Sequence, residues 1–394
     1  MTSRETGPVP DRPRQPWASP LLGRSGAVAG TGAAQGVAWH YGDPVAEQRA
    51  LVAGAGVVDL SYLGVVAVTG ADRLSWLHTL TSQRLADLAP RTSTETLVLS
   101  PHGHIEHAAG VVDDGATTWL LTATPDGLAA WLGTMRFALR VEVADVTDAW
   151  AVLGEARRGE GEPGGDVVWC DPWPSTAPGG TRYGPPDDEH PGADRAWRLV
   201  LVPRADLAAR VAAREGAGMR LAGTWASEAL RVAAWRPDAA HEVDHRTIPH
   251  ELDWLRTAVH LTKGCYRGQE TVARVHNVGR PPRRLTMLHL DGSEHLLPAA
   301  GAAVSDGSGT QVGVLTSAAL HHELGPVGLA LLRRATPVDA ALLVDGEQGP
   351  VAAAQEVVVP LEGHSVDRPA PRGPLTLGLA RKRGPAGPSS SRTP

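Results

Sequence analysis

Residues 263–270 read Lys263-Gly264-Cys265-Tyr266-Arg267-Gly268-Gln269-Glu270, and the rest of the chain is interpreted from this octet. Two glycines frame a cysteine whose neighbours include Lys263 and Arg267. Nearby positive charge favours thiolate over thiol, so a partly exposed Cys265 would be more reactive than a core cysteine. Gly264 and Gly268 permit close backbone approach. The 37 basic residues include only two lysines, Lys263 and Lys382, and the only cysteines are Cys170 and Cys265. A compact ammonium and a planar guanidinium are not interchangeable where space or a point charge matters. The retained lysine therefore hints at a specific role. The same octet also reads as a turn holding a small buried cysteine and a lysine left by chance, and local chemistry leaves both readings open.

Working outward, the segment before the octet contains a helical pattern over 224–234, with Ala226, Ala229, Leu230 and Ala233 on one side, ended by Pro237. Before that, Trp197–Val202 predicts a strand and 204–214 a helix. The first half predicts strands at Gly64–Thr69, 95–100, 104–112, 117–122 and 137–146, with helices from Asp72 and over 125–136. Such alternation suggests an antiparallel sheet covered on one face by helices, an α+β architecture. After Arg284 short apolar strands between glycines, such as Gln311–Thr316 and Val327–Leu332, predict a small closed β domain. The expected organisation is a disordered lead over 1–35, a unit over 36–148, and a second α+β unit over 149–282. A β-barrel over 283–365 and a disordered tail over 366–394 follow. Residues 155–195, rich in Gly, Pro and Asp, read as an insertion of low core potential.

Composition excludes several classes. A net charge of −6 argues against a nucleic-acid scaffold held by bulk charge. Two distant cysteines exclude a disulfide framework and a self-contained metal cage. No apolar run is long enough to span a membrane, and the first 20 residues lack a signal pattern, so a cytoplasmic protein is expected. The HExxH string His241–His245 needs a helix to bind zinc, but Pro237 and Pro249 bracket it closely. A solvated loop is the expectation there. His102, His104, Glu106 and His107 read as a polar turn lining a cleft in preference to a metal site, because Gly103 breaks the alternation. No resident metal is expected.

The octet resembles the signature of the YgfZ-type folate-binding proteins, relatives of the glycine-cleavage T-protein (aminomethyltransferase) that support iron–sulfur cluster maturation. Glu228–Arg231, Thr247–Leu252, Thr271–Arg274 and Arg284-Leu285 extend the resemblance around the octet. Gly56–Ser61, Val68–Asp72 and Leu77–Thr81 extend it into the first half, so that it covers about 36 to 335. It implies a T-protein-like ring of three domains, with intertwined ferredoxin-like units and a C-terminal β-barrel, and tetrahydrofolate in a central hole. Iron–sulfur client proteins or assembly machinery are the implied partners. Cys265 would be the working thiol. Lys263 and Arg267 would keep it ionised or bind the glutamate end of folate. Tyr266 would stack on or hydrogen-bond the folate, Gln269 and Glu270 would fix the loop or the pterin, and Arg231 and Arg274 would line the cleft. T-proteins carry an Asp-Asp pair after a Gly-x-Ile turn. Here Gly103-His104-Ile105 leads to His107 and Ala108 at those positions, with Glu106 one place early, which disfavours aminomethyl transfer. Ser82-Gln83-Arg84 and Trp235-Arg236 also depart from the family pattern.

Overall fold

The computed structural model describes residues 17–159, 166–293 and 297–369. Two five-stranded sheets and a closed six-stranded barrel carry the architecture. In the first sheet the order is Ser93–Leu99, Ile105–Asp113, Thr117–Thr122, Gly64–Thr69, Glu142–Asp145, every pair antiparallel. Because side chains alternate between faces of a strand, Val66 and Val68 pack under the helices Arg73–Leu80 and Pro125–Thr134, against Trp76, Leu77, Leu128 and Leu132. Val65, Val112 and Leu121 turn the other way. They meet Val58, Val152, Trp169 and Leu199 of the second sheet.

That second sheet runs Val167–Cys170, Arg198–Pro203, Trp150–Glu155, Gly56–Asp59, Arg220–Ala222, the last pair parallel. Its outer face buries Val57, Leu153, Val200 and Val202 under Leu207 and Val211 of the helix Leu207–Gly216. The first sheet is thus inserted, in sequence, between Gly56–Asp59 and Trp150–Glu155 of the second, so a strand preceding residue 148 belongs to the later unit. The barrel closes in the order Arg283–Leu290, Gly325–Arg333, Gln311–His321, Ala303–Asp306, Leu342–Val344, Val351–Val357. The helix Thr224–Ala233 lies between barrel and sheets: Ala226 packs with the sheets, Ala229 and Val232 with Leu329 and Leu331 of the barrel side.

Three expectations are corrected. The lead is not wholly disordered, since residues 17–35 fold against the second unit. Leu21 is buried and Ser19 Oγ donates to Asp59 at 2.5 Å. Residues 1–16 and 370–394 lie outside the described residues, yet 366–369 also pack, with Thr181 Oγ1 donating to Asp367 at 3.0 Å. The insertion, in turn, has a core. Val167–Cys170 is a strand of the second sheet, and Trp173, Tyr183 and His190 are buried. Irregular buried backbone needs partners, and the fully buried Arg256 supplies them. Its guanidinium donates to the carbonyls of Pro174 (3.0 Å) and Pro185 (2.8 Å) and to Asp187 (2.6 Å). No periodicity announces such a loop because its buried residues are pinned individually. Finally, the His241–His245 string is not a solvated loop. The short helix Ala239–Glu242 buries Glu242, which accepts from Arg231 at 2.8 Å and Ser317 at 2.6 Å.

The octet forms a tight turn leading into the helix Gln269–Asn277. Gly268, at φ +82°, precedes that helix against the hairpin turn of the first sheet. A Cβ there would stand 2.5 Å from the Ser100 carbonyl oxygen. Gly264 has φ +108°, with nothing within 4 Å of a Cβ. Gly268→Ala is expected to lower the unfolding free energy by about 2 kcal/mol or more, through a left-handed backbone and displacement of the hairpin turn. Gly264→Ala should cost the backbone strain alone. Urea denaturation of both variants separates the two contributions.

Candidate functional site

Between the inner faces of the two sheets, at the end covered by the helix Thr224–Ala233, lies a cavity. Leu60, Leu63, Ala108, Gly110, Leu121, Trp169, Trp197 and Leu199 form its apolar walls. Its polar floor comes from four separate stretches of chain. Arg236 Nη2 donates to Glu95 at 2.6 Å and its Nε to Asp171 at 3.2 Å, while Arg195 donates to Asp171 at 2.5 Å. Glu95 also accepts from Trp254 Nε1 at 3.1 Å and from the Thr257 hydroxyl. Burial alone would push the Asp171 carboxyl up, but Arg236 and Arg195 outweigh it and hold it below its usual value. Beside them, burial is likewise overcome by Arg231 at Glu228, whose carboxyl is lowered to about 2. Asp171 and Glu228 are thus held ionised, each paired with arginine. Two donors in this floor have no protein partner, Arg236 Nη1 and Arg195 Nε, and unmet buried donors are what a polar ligand would satisfy.

Of the sequence-derived site residues, only Arg231 lines this cavity. It is also spent structurally, donating to Glu228 (2.7 and 2.8 Å), Glu242 (2.8 Å), Ser317 (2.6 Å) and the Arg236 carbonyl (2.6 Å). The octet stands apart. Cys265 is exposed and unbridged. Lys263 is buried, its ammonium donating to the His78 carbonyl and lying 5.1 Å from the Tyr266 ring centre. Arg267 pairs with Glu106 at 2.6 Å and lies over Trp131. Both cations flanking Cys265 thus have other partners. Tyr266 is buried in the core with Leu99, Ile105, Trp254 and Val272, so it packs the loop and does not face the cavity. Gln269 opens the helix Gln269–Asn277, and Glu270 and Arg274 lie on its exposed side.

Sequence reasoning missed Glu95, Asp171 and Arg195, and named Arg236 only as a departure. One signal was available at Glu95, an acid two residues before the apolar run Leu97–Leu99 of the strand Ser93–Leu99. Asp171 lies within the insertion and Arg195 at its end, and neither has a local signature. At the positions where the resemblance puts the T-protein carboxylates, His107 Nδ1 contacts Thr124 Oγ1 at 2.8 Å on the helix side, and Ala108 faces the cavity. Among the described residues no group of three or more His, Cys, Asp or Glu could hold a metal ion. No helix among them is long and apolar enough to cross a membrane.

Two sheets enclosing a partly polar cavity, linked through a helix to a barrel, define a protein of the T-protein architecture. Residues 21–154 match the family model of the GCVT N-terminal domain. The chain is 26% identical over 282 residues to a putative chloroplast transferase of Arabidopsis thaliana. That match covers 66% of this chain and 61% of the relative, so the chain spans about three fifths of that protein. It is 27% identical over 336 residues to an aminomethyltransferase of Moorella thermoacetica, covering 75% of this chain and 83% of the other. Over 80 residues it is 45% identical to the mitochondrial iron–sulfur cluster assembly factor IBA57 of Mus musculus, 20% of this chain and 21% of that one. The crystal structure of the glycine cleavage system aminomethyltransferase T from Bartonella henselae shares the fold, with TM-score 0.69 and 17% identity over 88% of this chain and 97% of that one.

Two measurements test the electrostatics. Arg236→Met leaves Glu95 and Asp171 short of a buried partner and should cost about 3–5 kcal/mol of stability, read by denaturant unfolding; adding Glu95→Gln should recover part of it. Burial also lowers the Lys263 pKa to about 8 from 10.5. Between those values the unfolded chain binds more protons, so stability should rise with pH across that window. Lys263→Met should flatten the rise.

Proposed function

We propose that this protein binds tetrahydrofolate in the central cavity and serves in the assembly or repair of iron–sulfur clusters in client enzymes. The observation that carries the reading is the cavity's donor set. Arg236 Nη1 and Arg195 Nε are unpartnered donors suited to the carbonyl and ring nitrogens of a pterin. Trp169, Trp197 and Trp254 line the same cavity and give it the aromatic surface a flat heterocycle would pack on. Bound tetrahydrofolate would supply its reduced nitrogens as acceptors or donors of a one-carbon unit. This chain has Ala108 where a T-protein presents a carboxylate to that chemistry, and the carboxylates near the cavity floor are held in ion pairs. Both features favour binding over transfer.

The similarity to an iron–sulfur assembly factor over 80 residues supports the client side of the reading. Cys265, exposed and outside the cavity, would meet a partner macromolecule directly and act as a redox thiol or transient cluster ligand. Lys263 would hold the loop that carries it. In this reading Arg267, Tyr266, Gln269, Glu270 and Arg274 shape the loop and its helix instead of contacting folate.

The second reading is a folate-dependent aminomethyltransferase or other one-carbon transferase. It is favoured by the 27% identity with an aminomethyltransferase over three quarters of the chain. Calorimetric titration with tetrahydrofolate tests the binding that both readings share, and iron–sulfur enzyme activity in cells and formaldehyde release separate them. Wild type and Cys265→Ala should bind alike, and Arg195→Met about tenfold more weakly, as for loss of a hydrogen bond from a charged donor. Iron–sulfur enzyme activity in cells should fall with Cys265→Ala. Absence of folate binding by wild type sinks the reading. Formaldehyde release from an aminomethyl donor, abolished by Glu106→Ala or His107→Ala, would install the transferase instead.

A further inference from the structure

We propose that the tip of the barrel hairpin formed by Gln311–His321 and Gly325–Arg333 is an acid-released latch: with His321 neutral it is locked onto the helix Pro44–Val52, and protonation of His321 frees it. That helix packs on the second sheet through Leu51. Gln48, fully buried on it, bonds the tip on both sides of His321. Its Nε2 donates to the Leu320 carbonyl at 2.9 Å, and its Oε1 accepts from the His322 backbone N–H at 2.9 Å. Between those two anchors the buried His321 ring turns back on its own chain. Its Nδ1 accepts from the backbone N–H groups of Glu323 at 3.2 Å and Leu324 at 3.1 Å. An imidazole nitrogen accepts only while it carries no proton. The turn that shapes the tip therefore requires a neutral His321, and a proton on Nδ1 would set one N–H against two others.

The His322 ring stands 4.5 Å from that of His321, centre to centre, with its own Nδ1 buried and unpartnered. Burial first, and His322 second, hold the His321 pKa below the ordinary imidazole value, with Glu323 opposing them. The Glu323 carboxylate is itself largely exposed, 3.8 Å from His322 Nε2. The charged residues of the helices packed on this side are turned elsewhere. Glu47 accepts from the backbone N–H groups of Tyr41 and Gly223, Arg49 is exposed, and Glu228 and Arg231 bind each other. A freed tip binds the proton more readily than a docked one. Docking is therefore complete above the ordinary imidazole pKa of about 6.5 and weakens as pH falls below it. The same strand carries Ser317, which accepts from Arg231 at 2.6 Å and donates to Glu242 at 2.6 Å. The latch thus ends a strand whose middle is bonded to the helix lining the central cavity.

Hydrogen exchange of the full chain at about pH 7.5 and about pH 5.5, corrected for the intrinsic pH dependence of exchange, reads the bonded amides of residues 322–324 directly. Their protection should fall about fivefold at the lower pH, as for the loss of one net hydrogen bond, while the strand Gly64–Thr69 keeps its protection. His321→Asn places a non-titrating Oδ1 as many bonds from Cβ as Nδ1 and should keep the tip protected at both pH values. His321→Ala should leave it unprotected at both. Unchanged wild-type protection at 322–324, or an equal acid loss in His321→Asn, overturns the latch. An equal loss in Gly64–Thr69 would mark the effect as acid unfolding of the whole chain and overturn it as well.

Discussion

The contact on which this structure depends is the buried line Glu95–Arg236–Asp171. Each member comes from a different part of the chain: the first sheet, the end of the helix Thr224–Ala233, and the insertion. Trp254 and Thr257 join it from the segment that precedes the octet. Three bodies that pack mainly through apolar faces could slide on one another, since apolar contact is non-directional. Charged hydrogen bonds with fixed geometry remove that freedom. The cost is desolvation of two carboxylates and a guanidinium, which mutual attraction offsets only while every partner is in place. The same line is the cavity floor, so the interaction that sets the arrangement of the units also sets what the cavity can bind.

Arg256 does the corresponding work for the insertion. A loop rich in Gly, Pro and Asp has little apolar area to bury, and ordering its backbone carries a large entropic cost. A fully buried guanidinium with its donors on Pro174, Pro185, Asp187 and Asp253 holds it. Trp173 then packs edge to face with His190, and His190 edge to face with Trp235. The insertion is therefore a wall of the site.

The strands Gly64–Thr69 and Thr117–Thr122 and the helix over 224–233 stand almost residue for residue where their patterns put them, because each buries one face on a regular period. The barrel was legible for the same reason. The insertion was not, since its burial depends on partners such as Arg256 far away in sequence. Burial at Leu21 was hidden likewise by the surrounding prolines. The candidate site divides along the same line. The octet was conspicuous as a local cluster, yet its conspicuous residues mostly serve its own architecture: Tyr266 as core, Gly268 as a close approach, Lys263 and Arg267 as anchors to the first unit. Glu95, Asp171, Arg195 and Arg236 are scattered over 142 positions and become a site only when the sheets close.

The distance between thiol and cavity changes what the octet can be asked to do. Lys263 donates to the C-terminal end of the helix Arg73–Leu80, and Arg267 pairs with the start of the strand Ile105–Asp113. Both tie the loop to the outside of the first unit. Tyr266 packs inward against Trp254, whose indole donates to Glu95 in the cavity floor. One short segment, 249–260, therefore touches the floor on one side and the core beneath Cys265 on the other. A ligand that engages Arg236 acts on a network shared with Trp254, and a partner that docks on Cys265 presses on the core shared with Tyr266. Spatial connection alone does not make the two sites energetically coupled. It does mean that the segment 249–260 joins the cavity floor, through Trp254 and Thr257, to the core that holds Tyr266 beside Cys265.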